Sequence, residues 1–271
     1  MKDTIQLSIK VSVAQKDLLI SDLADINFYA FEETENEVLA YIYDDDFDEH
    51  ITKAALTSYN VVYTKNVIQS QNWNQMWENN YEPVIIDDFV AVRASFHQPV
   101  AGVKHEIIIT PKMSFGTGHH ATTFLMASTM KDIDLTNKIV LDFGTGTGIL
   151  AILAEKLGAA SVVAIDNDDW SIENAKENIA NNYCNKIDIK KDEIVPPDIF
   201  FDVILCNISL NVIQQNIEEL LIISKPGTQI LLSGFLIEDD VIIENLLKHK
   251  PFTQTVKIQK DKWLLMGYKK T

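Results

Sequence analysis

Apolar and polar positions alternate in the first stretch of the chain. Residues 4–12 (TIQLSIKVS) have the period of a half-buried strand, and residues 14–26 switch to helical spacing through Leu18, Leu19 and Leu23. Residues 28–31 and 38–43 are rich in aromatic and β-branched side chains. They flank EETENE, which reads as a hairpin connection. A second helix is predicted over 46–59 and a last strand over 61–67. The order βαββαβ in the first 68 residues predicts a small α+β, ferredoxin-like domain. It contains no glycine, nucleophile or phosphate loop, so a binding role is expected of it.

In residues 69–83 (QSQNWNQMWENNYEP), Trp73, Met76, Trp77 and Tyr81 form a helical stripe that ends at Pro83. A linker helix is expected there, with its aromatics packed on a domain. Residues 84–110 hold two or three strands, including 89–95 and 106–110. After them comes PKMSFGTGHHATT (111–123), a glycine loop leading into an apolar helix, read as a flexible lid that contributes hydroxyls. Its adjacent His119 and His120 cannot both face one site on regular structure, and no metal is expected.

From residue 138 strand and helix patterns alternate strictly. Strands are predicted at 138–142, 161–166, 186–190, 201–206 and 228–233, and helices at 148–157, 170–182, 210–222 and 238–249. Two closing strands, 254–259 and 263–268, surround the turn Lys260-Asp261-Lys262. This is the pattern of an α/β doubly wound, mainly parallel, Rossmann-like sheet with an antiparallel C-terminal hairpin. Ligands in such sheets sit at the carboxyl ends of the strands, near which Asp142, Asp166, Asp192 and Asn207 fall.

The stretch KIVLDFGTGTG (138–148) runs from a strand through a glycine turn into a helix start. Gly144, Gly146 and Gly148 permit a tight turn and close approach of a ligand, and the helix N-terminus offers free N–H donors. The spacing D-x-G-x-G-x-G is not the dinucleotide fingerprint G-x-G-x-x-G. An acid at Asp142 would repel a pyrophosphate but suits an ammonium group. Asp166, 22 residues after Gly144, ends the next strand, where a carboxylate can accept from both hydroxyls of a ribose. One ligand carries a ribose, an α-ammonium and a carboxylate without phosphate: S-adenosylmethionine. Asn207 ends an apolar strand (DVILCN) with an amide that could touch the methionine part of that ligand or orient an amine. It could equally cap the helix that follows.

Composition narrows the reading. The chain has 271 residues, 46% hydrophobic and 9% aromatic, which are globular values. A formal charge of −16 disfavours a general nucleic-acid binder and suits a basic partner. Cys184 and Cys206 lack metal-type spacing and read as free thiols of a reducing cytosol. No signal core or membrane span is visible, so a cytoplasmic protein without a membrane contact, a monomer, is expected.

VLDFGTGTGILAI, together with VVAID, VILCNI and KPG, is similar to class I S-adenosylmethionine-dependent methyltransferases. FGTGHHATT resembles the FGTGTHPTT loop of the bacterial ribosomal protein L11 methyltransferase family, PrmA. WNQMWENNYEP, SGF at 233–235 and the ending DKWLLMGYKK also resemble that family, over about residues 70–271. The resemblance implies cofactor contacts at Thr123, Gly144, Asp166 and Asn207, beside Asp142 and Gly146 from the turn itself. It implies a substrate-recognition domain (1–68), a hinge-like linker helix (69–83) and a methyltransferase domain (84–271). The reaction implied is methylation of lysine and N-terminal amines on a basic large-subunit ribosomal protein; it names no general base. His119 and Ala121 depart from the family's Thr and Pro, Thr145 and Thr147 from its Cys and Ser types, and Ser209 from its Leu. Alternatives are a class I methyltransferase of RNA or of a small molecule, or a non-catalytic cofactor-binding module. The sequence Asn207-Ile208-Ser209-Leu210 departs from the Asn-Pro-Pro-Tyr typical of glutamine and adenine enzymes.

Overall fold

The computed structural model describes residues 3–34, 36–68, 81–111 and 120–271. Most of the expected linker helix and most of the lid loop, with His119, fall outside these residues. The chain divides into two compact units, residues 1–81 and 82–271.

In the first unit the elements run β1 (Thr4–Lys10), α1 (Lys16–Ala24), β2 (Ala30–Thr34), β3 (Glu37–Tyr43), α2 (Glu49–Thr57) and β4 (Val62–Ile68). The sheet order is β2-β3-β1-β4, antiparallel throughout. Alternation dictates the core: Ile5, Leu7 and Ile9 of β1 and Val38, Ala40 and Ile42 of β3 are buried with Leu19 and Leu23 of α1 and Leu56 of α2. Asp48 caps α2 by accepting from the N–H groups of His50 (2.8 Å) and Ile51 (3.0 Å). With no glycine available, Asn27 and Asn60 take the left-handed turns, at φ 73° and 52°. One expectation is corrected. Most of EETENE is strand, since Glu32, Glu33 and Thr34 belong to β2 and Glu37 to β3. Its polarity reflects an open sheet face, on which the Tyr41 hydroxyl donates to Glu32 Oε1 at 3.0 Å.

The second unit starts with a small sheet of β5 (Val84–Ile86), β6 (Val90–Ala94) and β7 (His105–Ile109), in which β6 and β7 are parallel. Helix α3 (Ala121–Met130) follows. The alternating series is β8 (Ile139–Phe143), α4 (Ile149–Lys156), β9 (Ser161–Asp166), α5 (Asp169–Asn181), β10 (Ile187–Lys191), β11 (Phe201–Asn207), α6 (Leu210–Ile222), β12 (Ser224–Leu236), α7 (Asp240–Leu247), β13 (Phe252–Lys260) and β14 (Trp263–Lys270). Sheet order is β10-β9-β8-β11-β12-β14-β13, parallel from β10 to β12 and antiparallel at β14 and β13. The mainly parallel sheet and antiparallel hairpin expected from the alternation are both present. The chain steps outward from β8 to β9 and β10, then returns to the other side of β8 as β11. The switch point is therefore the gap between β8 and β11. Among the described residues, no helix is long and apolar enough to cross a membrane.

Helix α5 fastens the small sheet to the glycine turn. Asn178, with no exposed surface, accepts from Thr110 N at 2.7 Å and donates to Thr147 O at 2.8 Å. One turn on, Asn182 accepts from Ile108 N (2.9 Å) and donates to Ile108 O (2.6 Å). Both asparagines do the work of a neighbouring strand for the edge of β7. Asn178→Ala should leave a buried N–H and C=O unpaired, at about 1–3 kcal/mol. At roughly 2–4 °C per kcal/mol for a unit of this size, the thermal midpoint should fall by several degrees. An unchanged midpoint in calorimetry would contradict this reading of α5.

Candidate active site

Immediately after β8 the backbone turns left-handed three times, at Gly144 (φ 77°), Gly146 (55°) and Gly148 (81°). The N–H groups of Gly144 and Thr145 both donate to Ile165 O, at 2.9 Å each, tying the turn to the end of β9. Asp166 then joins the two loops. Its Oδ2 accepts from Gly146 N (2.8 Å) and its Oδ1 from Asp168 N (3.1 Å), while Asp168 caps α5 through Ser171 N (2.8 Å). Carboxylate oxygens so used keep further lone pairs for a ligand. Across the switch point, Ile208 is seated between two glycines: a Cβ on Gly144 would collide with its side chain, and one on Gly234 (φ 100°) with its backbone. This close packing holds the end of β11 against the glycine turn.

Asp142 is placed differently from the sequence expectation. It lies within β8, is 1% exposed and does not line the pocket. Its Oδ2 accepts from Thr145 Oγ1 (2.6 Å) and Ala151 N (3.1 Å), so it braces the turn and the first turn of α4 from beneath. The reason is strand phase. Leu141 and Phe143 take the face that packs with Ile204 and Cys206, which sends Asp142 to the opposite face, under α4. Burial, with Asp166 nearby, pushes its carboxyl up to about 7 against the hydrogen bonds from Thr145 and Ala151. Its Oδ1 has no partner among the described residues.

The carboxyl edge of the sheet opens into a cavity of about 770 Å³. Its wall brings together Gly144, Gly146, Asp166 and Asn207 of the expected set, and Asp192 as well. Thr123 stands behind the wall on α3, 3% exposed, with its hydroxyl 3.5 Å from Asn207 Nδ2. Ser209, rather than Asn207, occupies the position before α6. Asn207 Oδ1 is buried without a hydrogen-bond partner among the described residues. His120 and Trp263 also line the cavity, their rings edge to face at 4.5 Å between centroids. Sequence reasoning gave neither a site role. His120 Nδ1 caps α3, accepting from Thr122 N at 3.3 Å, and Trp263 reaches the edge only because β14 inserts beside β12.

Residues 6–271 match the profile of a family described as ribosomal protein L11 methyltransferase (PrmA). The chain belongs to this family. It is 38% identical to the ribosomal protein L11 methyltransferase of Porphyromonas gingivalis over 260 residues, covering 93% of this chain and 90% of that one. It is also 38% identical to that of Phocaeicola vulgatus over 230 residues, 82% of each chain. Among solved structures, the ribosomal protein L11 methylase of Lactobacillus delbrueckii subsp. bulgaricus superposes with a TM-score of 0.65 at 30% identity, covering 70% of this chain and 99% of that one. A family of methyltransferases implies S-adenosylmethionine as cofactor, and the pocket chemistry fits it. The described wall residues include Asp166, Asp192 and Glu193 but no lysine or arginine, which suits a cationic, phosphate-free ligand and not a dinucleotide. The unpartnered Asn207 Oδ1 is an acceptor waiting for an N–H donor.

The buried carboxyl of Asp142 yields a pH signature. An unfolded aspartate titrates near ~3.9, whereas Asp142 in the fold titrates at about 7. Between these values the unfolded chain has lost the proton and the folded chain keeps it, so this group's contribution falls as pH rises through the window and is flat above it. Asp142→Asn keeps an acceptor for Thr145 and Ala151 and removes the titration. Its thermal midpoint relative to wild type should therefore rise between pH 5 and pH 8. A difference constant with pH would show that Asp142 does not titrate there.

Proposed function

We propose that the protein transfers methyl groups from S-adenosylmethionine to amino groups of ribosomal protein L11. The observation that carries this is the pairing of family membership with a pocket whose wall holds carboxylates and an unpartnered amide oxygen but, among the described residues, no cation. The cofactor supplies a methyl carried on a sulfonium sulfur. Asp166 holds the ribose hydroxyls, Gly144 and Gly146 let the ligand lie against the backbone, and Thr123 with Asn207 fixes the amino-acid end. Asn207 Oδ1 accepts an N–H from an ammonium or amine. No covalent enzyme intermediate is needed: the pocket aligns the reactants. A lysine ammonium titrates near ~10.4 and must lose its proton before it can react, which removal from water promotes. Residues 1–68 act as the substrate-recognition domain, 69–83 as the linker and 84–271 as the catalytic domain.

The direct test is tritiated methyl transfer from S-adenosylmethionine into ribosomal proteins of a strain lacking the enzyme, resolved by mass. A single labelled large-subunit protein, carrying the methyl groups on amines, is expected. Label in RNA alone would discard this substrate. Asp166→Ala removes two charge-assisted hydrogen bonds, each worth about 1.5–3 kcal/mol. Calorimetry should show cofactor affinity down by at least tenfold, and an unchanged affinity would remove Asp166 from the site. Because the chain carries −16 and the target is basic, kcat/KM for the protein substrate should fall with added salt, chiefly through association. Salt-independent kcat/KM would exclude a steering role for this charge.

A further inference from the structure

The SGF stretch at 233–235 interrupts β12 at the carboxyl edge of the sheet. β12 pairs with β14 as Ser233↔Leu265 and then as Phe235↔Leu264, so Gly234 is an inserted residue, a bulge. The insertion resets the side-chain period. In an unbroken strand residues 232 and 235 point to opposite faces, yet Leu232 and Phe235 are both buried in the core that holds Ile204 and Ile213. The bulge also carries β12 against the end of β11. Gly234 has φ 100°, the space its Cβ would fill is taken by the Ile208 carbonyl, and the residue forms part of the cavity wall.

Ser233 holds this bulge on both sides. Its carbonyl accepts from Ile208 N at 3.1 Å, and its hydroxyl donates to Leu264 O of β14 at 2.8 Å. It has no exposed surface and pairs in register with Asn207. Burying a serine costs stability unless its hydroxyl is bonded, and here the bond falls where the ladder to β14 is displaced by one residue. We propose that Ser233 is a positioning residue for methyl transfer, whose hydroxyl fixes the bulge between β11 and β14 and thereby the aim of the Asn207 amide. The inference rests on the reading of the pocket above. Asn207 Nδ2 is 3.5 Å from the Thr123 hydroxyl, at the limit of a hydrogen bond, and Oδ1 has no partner among the described residues. The direction of the amide therefore depends on the backbone that carries it. That backbone is the Asn207–Ile208 peptide, held by Ser233 O and followed by the Ile208 carbonyl that rests on Gly234. Loss of the hydroxyl lets the bulge relax and swings the amide away from the reacting end.

The test compares Ser233→Ala with Ser233→Thr, which keeps a hydroxyl. In Ser233→Ala, kcat for L11 should fall by about tenfold or more while KM stays within about twofold, because a displaced amide spoils alignment and not protein docking. Ser233→Thr should recover most of the lost kcat. Rates are taken per folded protein, below the thermal midpoint of each variant, so that a loss of stability alone leaves kcat unchanged. In protein loaded with S-adenosylhomocysteine, the Asn207 side-chain amide resonances, assigned by their absence in Asn207→Ala, should move in Ser233→Ala and return toward wild type in Ser233→Thr. An unchanged kcat in Ser233→Ala, or unmoved Asn207 resonances, would overturn the proposal. Should threonine prove too large for the site to fold, Ser233→Ala alone decides both readouts. If wild type methylates no L11, the functional reading fails, and the resonances still decide whether Ser233 sets the Asn207 amide.

Discussion

Everything at this site depends on a backbone that bends left-handed three times in five residues after β8. Gly144, Gly146 and Gly148 do so at positive φ, a region closed to most side chains, and the turn is then fixed from three directions. Ile165 O holds its N–H groups from the side, the Asp166 carboxylate reaches across to Gly146, and Asp142 braces Thr145 and Ala151 from below. The result is a rigid seam between β8 and β9 that starts α4 in the right direction. Ile208, wedged between Gly144 and Gly234, joins the same seam to β11 and β12.

The sheet then spreads chemistry along that seam. Carboxylates gather on the β9–β10 side, an amide acceptor stands at the switch point, and aromatic rings close the β14 side. A pocket graded in this way from anionic to aromatic suits a cofactor whose nucleoside and reacting ends differ in chemistry. The absence of lysine and arginine from the described wall separates it from phosphate-binding relatives of the doubly wound fold. Family membership and pocket electrostatics are independent lines, and they agree.

Much of this was legible in the sequence because it is local. Strand and helix periods located the sheet, and an acid ending the strand after a glycine turn located Asp166. What was not legible is what the third dimension decides. Asp142 was expected in the pocket, but the phase of β8 against its core-facing neighbours Leu141 and Phe143 turns it beneath the loop. EETENE read as a loop because its glutamates are polar, whereas the open face of β2 and β3 tolerates them within strands. Trp263 and Gly234 lie far from the glycine turn in sequence; the pairing of β12 with β11 brings Gly234 to that edge, and the insertion of β14 beside β12 brings Trp263 there. His120 carries no sequence signal for a site role, because its place as both helix cap and wall depends on where α3 begins.

The measurement that tests the account most directly is a crystal structure of the protein with S-adenosylhomocysteine. The account places the ribose hydroxyls on Asp166, the ligand against Gly144 and Gly146, and the amino-acid end at Thr123 and Asn207. A nucleoside bound in the opposite direction, or with its ribose away from Asp166, would contradict it.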